Sequence, residues 1–202
     1  MTQVLVPSER LVRWVENFGT RHGTTTYDVE DGALLGSAAD GSTFAARLPF
    51  EGTYDGPADL GAFADAVLPA PAWGVLLVRK GGFAVARLAG AQLAEHKIGQ
   101  RHVQGRTKAG GQSQQRFARR RDNQARQAFE AAAEHAVRIL GGVAMPVVTG
   151  GDHAAVDEVL ADPRLRRLSV VSPWLAVPDP RRSVLDAAIA DALSVCVDVV
   201  NA

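Results

Sequence analysis

The residues best placed to do chemistry lie in one stretch of this 202-residue chain, GRTKAGGQSQQRFARRRDNQAR at 105–126. Gly110, Gly111, Gln112 and Gln114 precede a run of arginines, Asp122 is the stretch's only carboxylate, and it contains no histidine or cysteine. A glutamine amide does not titrate near neutral pH, so it is a poor general base. It can instead position a water, exclude other nucleophiles, or lend its backbone N–H to a developing negative charge. Two glycines before it allow positive φ and let a slim backbone enter a narrow cavity. Such a tip makes sense when most of the catalytic apparatus belongs to a partner. An RNA site that supplies a ribose hydroxyl would be such a partner.

The charge distribution supports a polyanionic partner. The formal net charge is zero, yet residues 97–126 hold Lys97, Arg101, Arg106, Lys108, Arg116, Arg119, Arg120, Arg121 and Arg126 against one acid. The remainder holds 13 basic and 21 acidic residues. A solubilising face would mix the signs; a segregated basic arm is an electrostatic footprint for phosphates. Arginine forks suit phosphate better than lysine does, and a helix N-terminus adds its own partial positive charge.

The elements that must carry this arm follow from periodicity. A long helix is expected from about Gln115 to Leu140, stopped by Gly141-Gly142. At about 100° per residue, Arg116, Arg119, Arg120, Asn123, Arg126 and Gln127 share one face. Phe117, Ala125, Ala128, Phe129, Ala132, Ala136 and Ile139 share the other. Arg121 falls on the apolar side, where it must snorkel or pair. Upstream, two apolar strands flank Lys80-Gly81-Gly82 as a hairpin, and LAEHKIGQRHVQGRT reads as a third strand leading into the glycines. Downstream come a strand at AMPVVTGG, a helix capped by Asp152, a strand at LRRLSVV and a closing helix over DPRRSVLDAAIADALSVCVDVV. The order predicts a mixed α/β sheet with helices packed on it.

Residues 1–70 read as a small α+β subdomain and 71–202 as the main domain. The first has a helix over 8–21, with Ser8 as cap and Leu11, Val15 and Phe18 on one face. Asp31-Gly32 and Asp40-Gly41 then punctuate a three-stranded meander near 24–48. A short helix follows, stopped by Pro69.

Several classes are disfavoured. A lone Cys196 precludes an intrachain disulfide framework or a cysteine-based zinc site, and fits a reducing cytoplasm. His22, His96, His102, His135 and His153 lack ligand-like spacing, and the main-domain strands carry no carboxylate cluster, so no metal and no cofactor is expected. VVTGGDH lacks the Gly-Lys-Ser/Thr or Gly-x-Gly-x-x-Gly that a nucleotide loop requires. No signal peptide or membrane-length apolar run is visible, so a soluble protein is expected.

KAGGQSQQRFARRR behind WGVLLVRKGGFAVARLAG and HKIGQRHVQGR resembles the middle, catalytic domain of the archaeo-eukaryotic peptide release factors. The closest branch is the bacterial Vms-like release factors, a peptidyl-tRNA hydrolase group. The resemblance covers roughly residues 72–200 and is strongest at His96-Lys97 and from Gln104 to Gln127. It implies a mixed α/β domain of ribonuclease-H-like topology. It also implies action at the 3′ end of peptidyl-tRNA on stalled large ribosomal subunits. Implied partners are peptidyl-tRNA and large-subunit RNA, with a ribosome-splitting or quality-control factor as a further candidate and no membrane. The Gly-Gly-Gln of release factors places the key glutamine at Gln112; the Gly-x-x-Gln of the Vms-like branch places it at Gln114. The codon-reading domain of true release factors is not recognisable, which favours rescue over stop-codon decoding. Cleavage of the tRNA near its 3′ end, and a non-catalytic RNA-binding module, stand as alternatives.

Overall fold

The computed structural model describes residues 1–100 and 127–202. They form two compact units, Met1–Ala70 with Ile189–Ala202, and Pro71–Ala188.

The first unit is an antiparallel five-stranded sheet with two helices. Strand β1 (Thr2–Val6) leads through a tight 3-10 turn at Ser8–Arg10 into α1 (Leu11–His22). Leu11, Val15 and Phe18 are buried as their spacing predicts. Ser8 is not the cap: the 3-10 turn places it ahead of the helix, and Arg10 occupies the cap position without a side-chain bond. Strands β2 (Thr25–Glu30), β3 (Ala33–Ala38) and β4 (Thr43–Arg47) make the meander. Asp31 and Gly32 both have positive φ, 49° and 72°, which is the hairpin geometry that Asp-Gly favours. The Phe44 ring lies against Gly36, where an added Cβ would come within 2.1 Å of it. Trp14 and Phe18 meet the same ring edge-on at centroid distances of 5.5 and 5.1 Å. Helix α2 (Leu60–Ala66) is capped by Asp59, whose carboxylate accepts from Ala62 N–H at 2.8 Å.

The second unit holds β5 (Ala72–Arg79), β6 (Gly82–Ala89), β7 (Gln92–Gln100), β8 (Met145–Gly151) and β9 (Leu168–Leu175). Their order is β7-β6-β5-β8-β9; β5, β6 and β7 are antiparallel neighbours, and β5, β8 and β9 run parallel. This is the ribonuclease-H-like order that the resemblance implies. Helix α3 is described over residues 127–140, α4 spans His153–Leu160 and α5 spans Arg182–Ala192. Ala132, Ala136, Ile139 and Leu140 of α3 bury against Leu76, Val78, Phe83 and Val85. Strand β9 runs on to Leu175, past the Val171 end read from sequence.

The chain's end differs from the sequence reading. The expected closing helix stops at Ala192, and Val195–Val200 form β10, between β1 and β4. Residues 189–202 therefore belong to the first unit rather than to a main domain of 71–202. The cause is local: valines at 195, 197 and 199 alternate with Cys196 and Asp198, and β-branched residues at period 2 fit a half-buried strand better than a helix. Val197 is paired with Ala46 on one side and Val4 on the other. Gln3 and Arg47 both bond the Asp198 carboxylate from the flanking strands.

Ending the chain after Ser194 should unravel the first sheet. Val195 and Val197 are fully buried, and losing two such side chains costs about 3–6 kcal/mol. Hydrogen exchange at Phe44 and Ala46 should accelerate about 100-fold or more; unchanged protection there would refute the central role of β10.

Candidate functional site

Of the twelve residues that the sequence marks for glutamine chemistry or phosphate contact, Lys97 lies within the described residues. Gly110, Gly111, Gln112, Gln114, Arg101, Arg106, Lys108, Arg116, Arg119, Arg120 and Arg126 lie outside them. The two elements that border this stretch on either side are described. Strand β7 ends at Gln100 and α3 is described from residue 127, both in the second unit.

Strand periodicity divides β7 between two faces. Glu95, Lys97 and Gly99 pair with Arg87, Val85 and Phe83 of β6, and so share the face on which α3 packs. His96, paired with Ala86, points the other way, where its Nε2 lies 3.5 Å from Arg182 Nη1. The His96-Lys97 dipeptide is therefore split between the two sides of the sheet. Arg182 is also held by Asp186 one helical turn on, at 2.8 Å.

On the α3 side, charges gather. Glu95 pairs with Arg138 of the helix and lies 4.0 Å from Arg87 of β6. Lys97 has no ion-pair partner among the described residues. His135, half-buried on α3, stacks on Phe83 at 5.5 Å and 29°. Burial holds its pKa below the ordinary value; the Lys97 ammonium and Arg138 guanidinium lower it further, and Glu134 opposes them. A cavity of about 200 Å³ opens here, with Phe83, Lys97, Gly99, Ala128, Ala131 and His135 among its lining.

Sequence reasoning passed over His135, Arg138 and Glu95. Their signal was present but divided. Ala131, His135 and Arg138 follow helical spacing, while Glu95 and Lys97 follow strand spacing. Only the packing of α3 on β6 and β7 brings the two series together.

The glycines of VVTGGDH have a packing explanation. A Cβ on Gly150 would meet Leu175 O at 2.3 Å, and one on Gly151 would meet Val78 O at 2.3 Å. The glycines let neighbouring backbones approach. His153, which follows them, stacks on Trp174 at 3.5 Å. Asp152 occupies the cap position of α4 but makes no side-chain cap bond. Among the described residues no group of three or more His, Cys, Asp or Glu could hold a metal ion. No described helix is long and apolar enough to cross a membrane.

The fold defines a mixed α/β chain whose second unit has ribonuclease-H-like strand order. The chain belongs to the Actinobacteria/chloroflexi VLRF1 release factor family, whose model matches residues 71–198. Membership places it among release-factor-like proteins, which act with the ribosome in translation termination or rescue. Among solved structures it is similar to the Vms1 mitochondrial localization core, at 11% identity and TM-score 0.38, over 96% of this chain and 84% of that one. It is similar to the archaeal translation termination factor aRF1 at 12% identity and TM-score 0.36, over 95% of this chain and 66% of that one. Archaeoglobus fulgidus Pelota gives 12% identity and TM-score 0.28, over 94% of this chain and 62% of that one. The chain thus spans less than two thirds of the length of the last two. No curated protein matches the sequence. The family assignment rests on the match over 71–198.

The electrostatics around His135 are open to titration. The folded ring binds a proton less readily than the unfolded one, so stability should fall as pH drops below the ordinary value of 6.5. The fall should end once the pH is under the folded pKa. Proton NMR should find the His135 midpoint below 6.5, and Lys97→Gln should move it upward. A midpoint that ignores Lys97→Gln would show that the ammonium does not act on the ring.

Proposed function

We propose that this protein frees nascent chains from tRNA on stalled large ribosomal subunits, as a cytoplasmic peptidyl-tRNA hydrolase. The observation that carries the reading is the sequence between β7 and α3. A Gly-Gly-Gln-Ser-Gln tip and nine Lys/Arg against one acid are concentrated in residues 97–126, in a chain whose family is one of release factors. The partners are peptidyl-tRNA and large-subunit RNA, with a ribosome-splitting or quality-control factor upstream.

The chemistry asked of the protein is small. Water attacks the carbonyl carbon of the ester that joins the peptide to the terminal ribose. The carbonyl oxygen gains negative charge, the ester C–O bond breaks, and the ribose oxygen leaves with a proton. Gln112 or Gln114 orients the water, or its backbone N–H meets the oxyanion. Arg106, Lys108, Arg116, Arg119, Arg120 and Arg126 bind phosphates of the surrounding RNA, with Lys97 and Arg101 contributing to the same contact. The ribose hydroxyl and the walls of the cavity come from the RNA.

A release assay on large subunits that carry peptidyl-tRNA tests this. Changing Gln112 and Gln114 together to alanine should cut release by about 10²–10³ while subunit binding persists. Undiminished release would exclude the side-chain role and leave only the backbone N–H, which alanine keeps; no release by the wild-type chain would defeat the reading. An intact tRNA 3′ end in the product identifies ester hydrolysis, and a shortened one identifies phosphodiester cleavage. Arg119→Glu with Arg120→Glu should abolish binding, and the wild-type affinity should fall steeply with salt, as several phosphate contacts require.

A further inference from the structure

The chain's formal charge of zero is the sum of two opposed units. The first unit, residues 1–70 and 189–202, carries twelve acids against Arg10, Arg13, Arg21 and Arg47, a formal charge of −8. It contains no lysine. In the second unit, residues 97–126 carry +8, while 71–96 and 127–188 together hold nine acids and nine bases. The entire counterweight to the basic arm is thus one folded unit.

The fold of that unit accounts for few of its acids. Eleven of the twelve are exposed, and Asp198 is partly buried. Asp198 pairs with Arg47, and Asp40 with His22 at 2.8 Å. Asp59 caps α2, and the Asp28 carboxylate accepts from Val29 N–H at 2.8 Å on the outermost strand of the sheet. Glu9, Glu16, Glu30, Asp31, Asp55 and Asp65 have no ion-pair partner among the described residues. They are spread over the first 3-10 turn, α1, the β2–β3 hairpin, the segment before α2, and α2 itself. A metal site would gather carboxylates at one point; these are dispersed, and a solubilising surface would mix the signs.

What such a surface does depends on range. The Debye length is about 8 Å at physiological ionic strength, so these carboxylates act on whatever comes against the first unit. An RNA surface broad enough to meet both units is attracted at one and repelled at the other. An RNA cavity that admits the arm and nothing else escapes the repulsion.

We propose that the first unit is an RNA-excluding module, which keeps the basic arm off broad RNA surfaces and restricts it to sites that admit the arm alone. This deepens the proposed function and rests on it in taking RNA as the partner. It gives residues 1–70 and 189–202 a role in selectivity and none in the ester chemistry.

The test uses the full chain with an RNA duplex of about 20 base pairs and a single strand of about five nucleotides. By NMR, the Gly99 amide reports on the second unit, and those of Asn17, Val29 and Gly56 on the first. In the wild-type chain the duplex should shift Gly99 and leave the other three unmoved. Glu16→Lys, Glu30→Lys and Asp55→Lys together take the first unit from −8 to −2, each reversal adding two charges. This variant should bind the duplex about tenfold more tightly or better, with a log–log salt slope steeper by about two for its new phosphate contacts. Asn17, Val29 and Gly56 should then shift, and affinity for the short strand should stay within about twofold. The inference is overturned if the wild-type first unit answers the duplex, if the duplex moves neither unit, or if the reversals bring no gain. An equal gain on the short strand would overturn it too, as an effect of bulk charge. Should the triple variant lose the fold, the wild-type amides decide. Peptide release by a chain whose first unit answers RNA would sink this inference alone. A first unit silent to bound duplex, in a chain that releases nothing, would uphold it and sink the hydrolase reading.

Discussion

The arrangement of the second unit depends on how closely α3 can lie on its sheet, and small residues set that distance. Ala132 and Ala136 are fully buried at the contact, and Gly74 of β5 has no Cβ because one would meet Leu140 at 2.7 Å. A larger residue at either alanine would lift the helix by overpacking. Everything around the candidate site follows from this approach. The helix brings Arg138 to Glu95 and His135 to Phe83, and it gives the stretch between β7 and α3 a supported neighbour on each side. A site built on a strand and a helix is held more tightly than one built on loops alone.

Much of this frame was legible in the sequence, for physical reasons that differ by element. The β5–β6 hairpin announced itself through two apolar runs around Lys80-Gly81-Gly82, and α3 through the apolar arc that ends at Gly141-Gly142. Both signals are local. The positions of Leu11, Val15 and Phe18 were equally plain, since three residues at helical spacing need no tertiary knowledge. The glutamine tip and its arginines are a sequence inference throughout, carried by composition and by the family match, and they lie outside the described residues.

What could not be read was long-range. Strand β1 is five residues with no partner nearby in sequence, and its partner β10 lies at the other end of the chain. Val195–Val200 follow two residues after a helix, and in sequence the closing helix extends through them because the partner strands β1 and β4 are distant. The His135 cluster was hidden for a related reason. Its members are unremarkable on their own elements, and a half-buried histidine on an alanine-rich helix looks like packing. The desolvation that lowers its proton affinity comes from the fold, and part of the charge that adds to it comes from Lys97 on another element.

The position of β10 at the heart of the first sheet governs the order in which the protein can assemble during synthesis. Roughly 150 residues separate the end of β4 from the start of β10, and at about 5–20 residues per second the ribosome takes about 7–30 s to make them. For that interval β1 has no strand to pair with and β4 presents an open edge. The second unit, encoded in one continuous run, has all its strands first. The amino-terminal unit, begun earliest, is thus completed last, and its unpaired β4 edge is the surface most in need of protection while the chain is still being made.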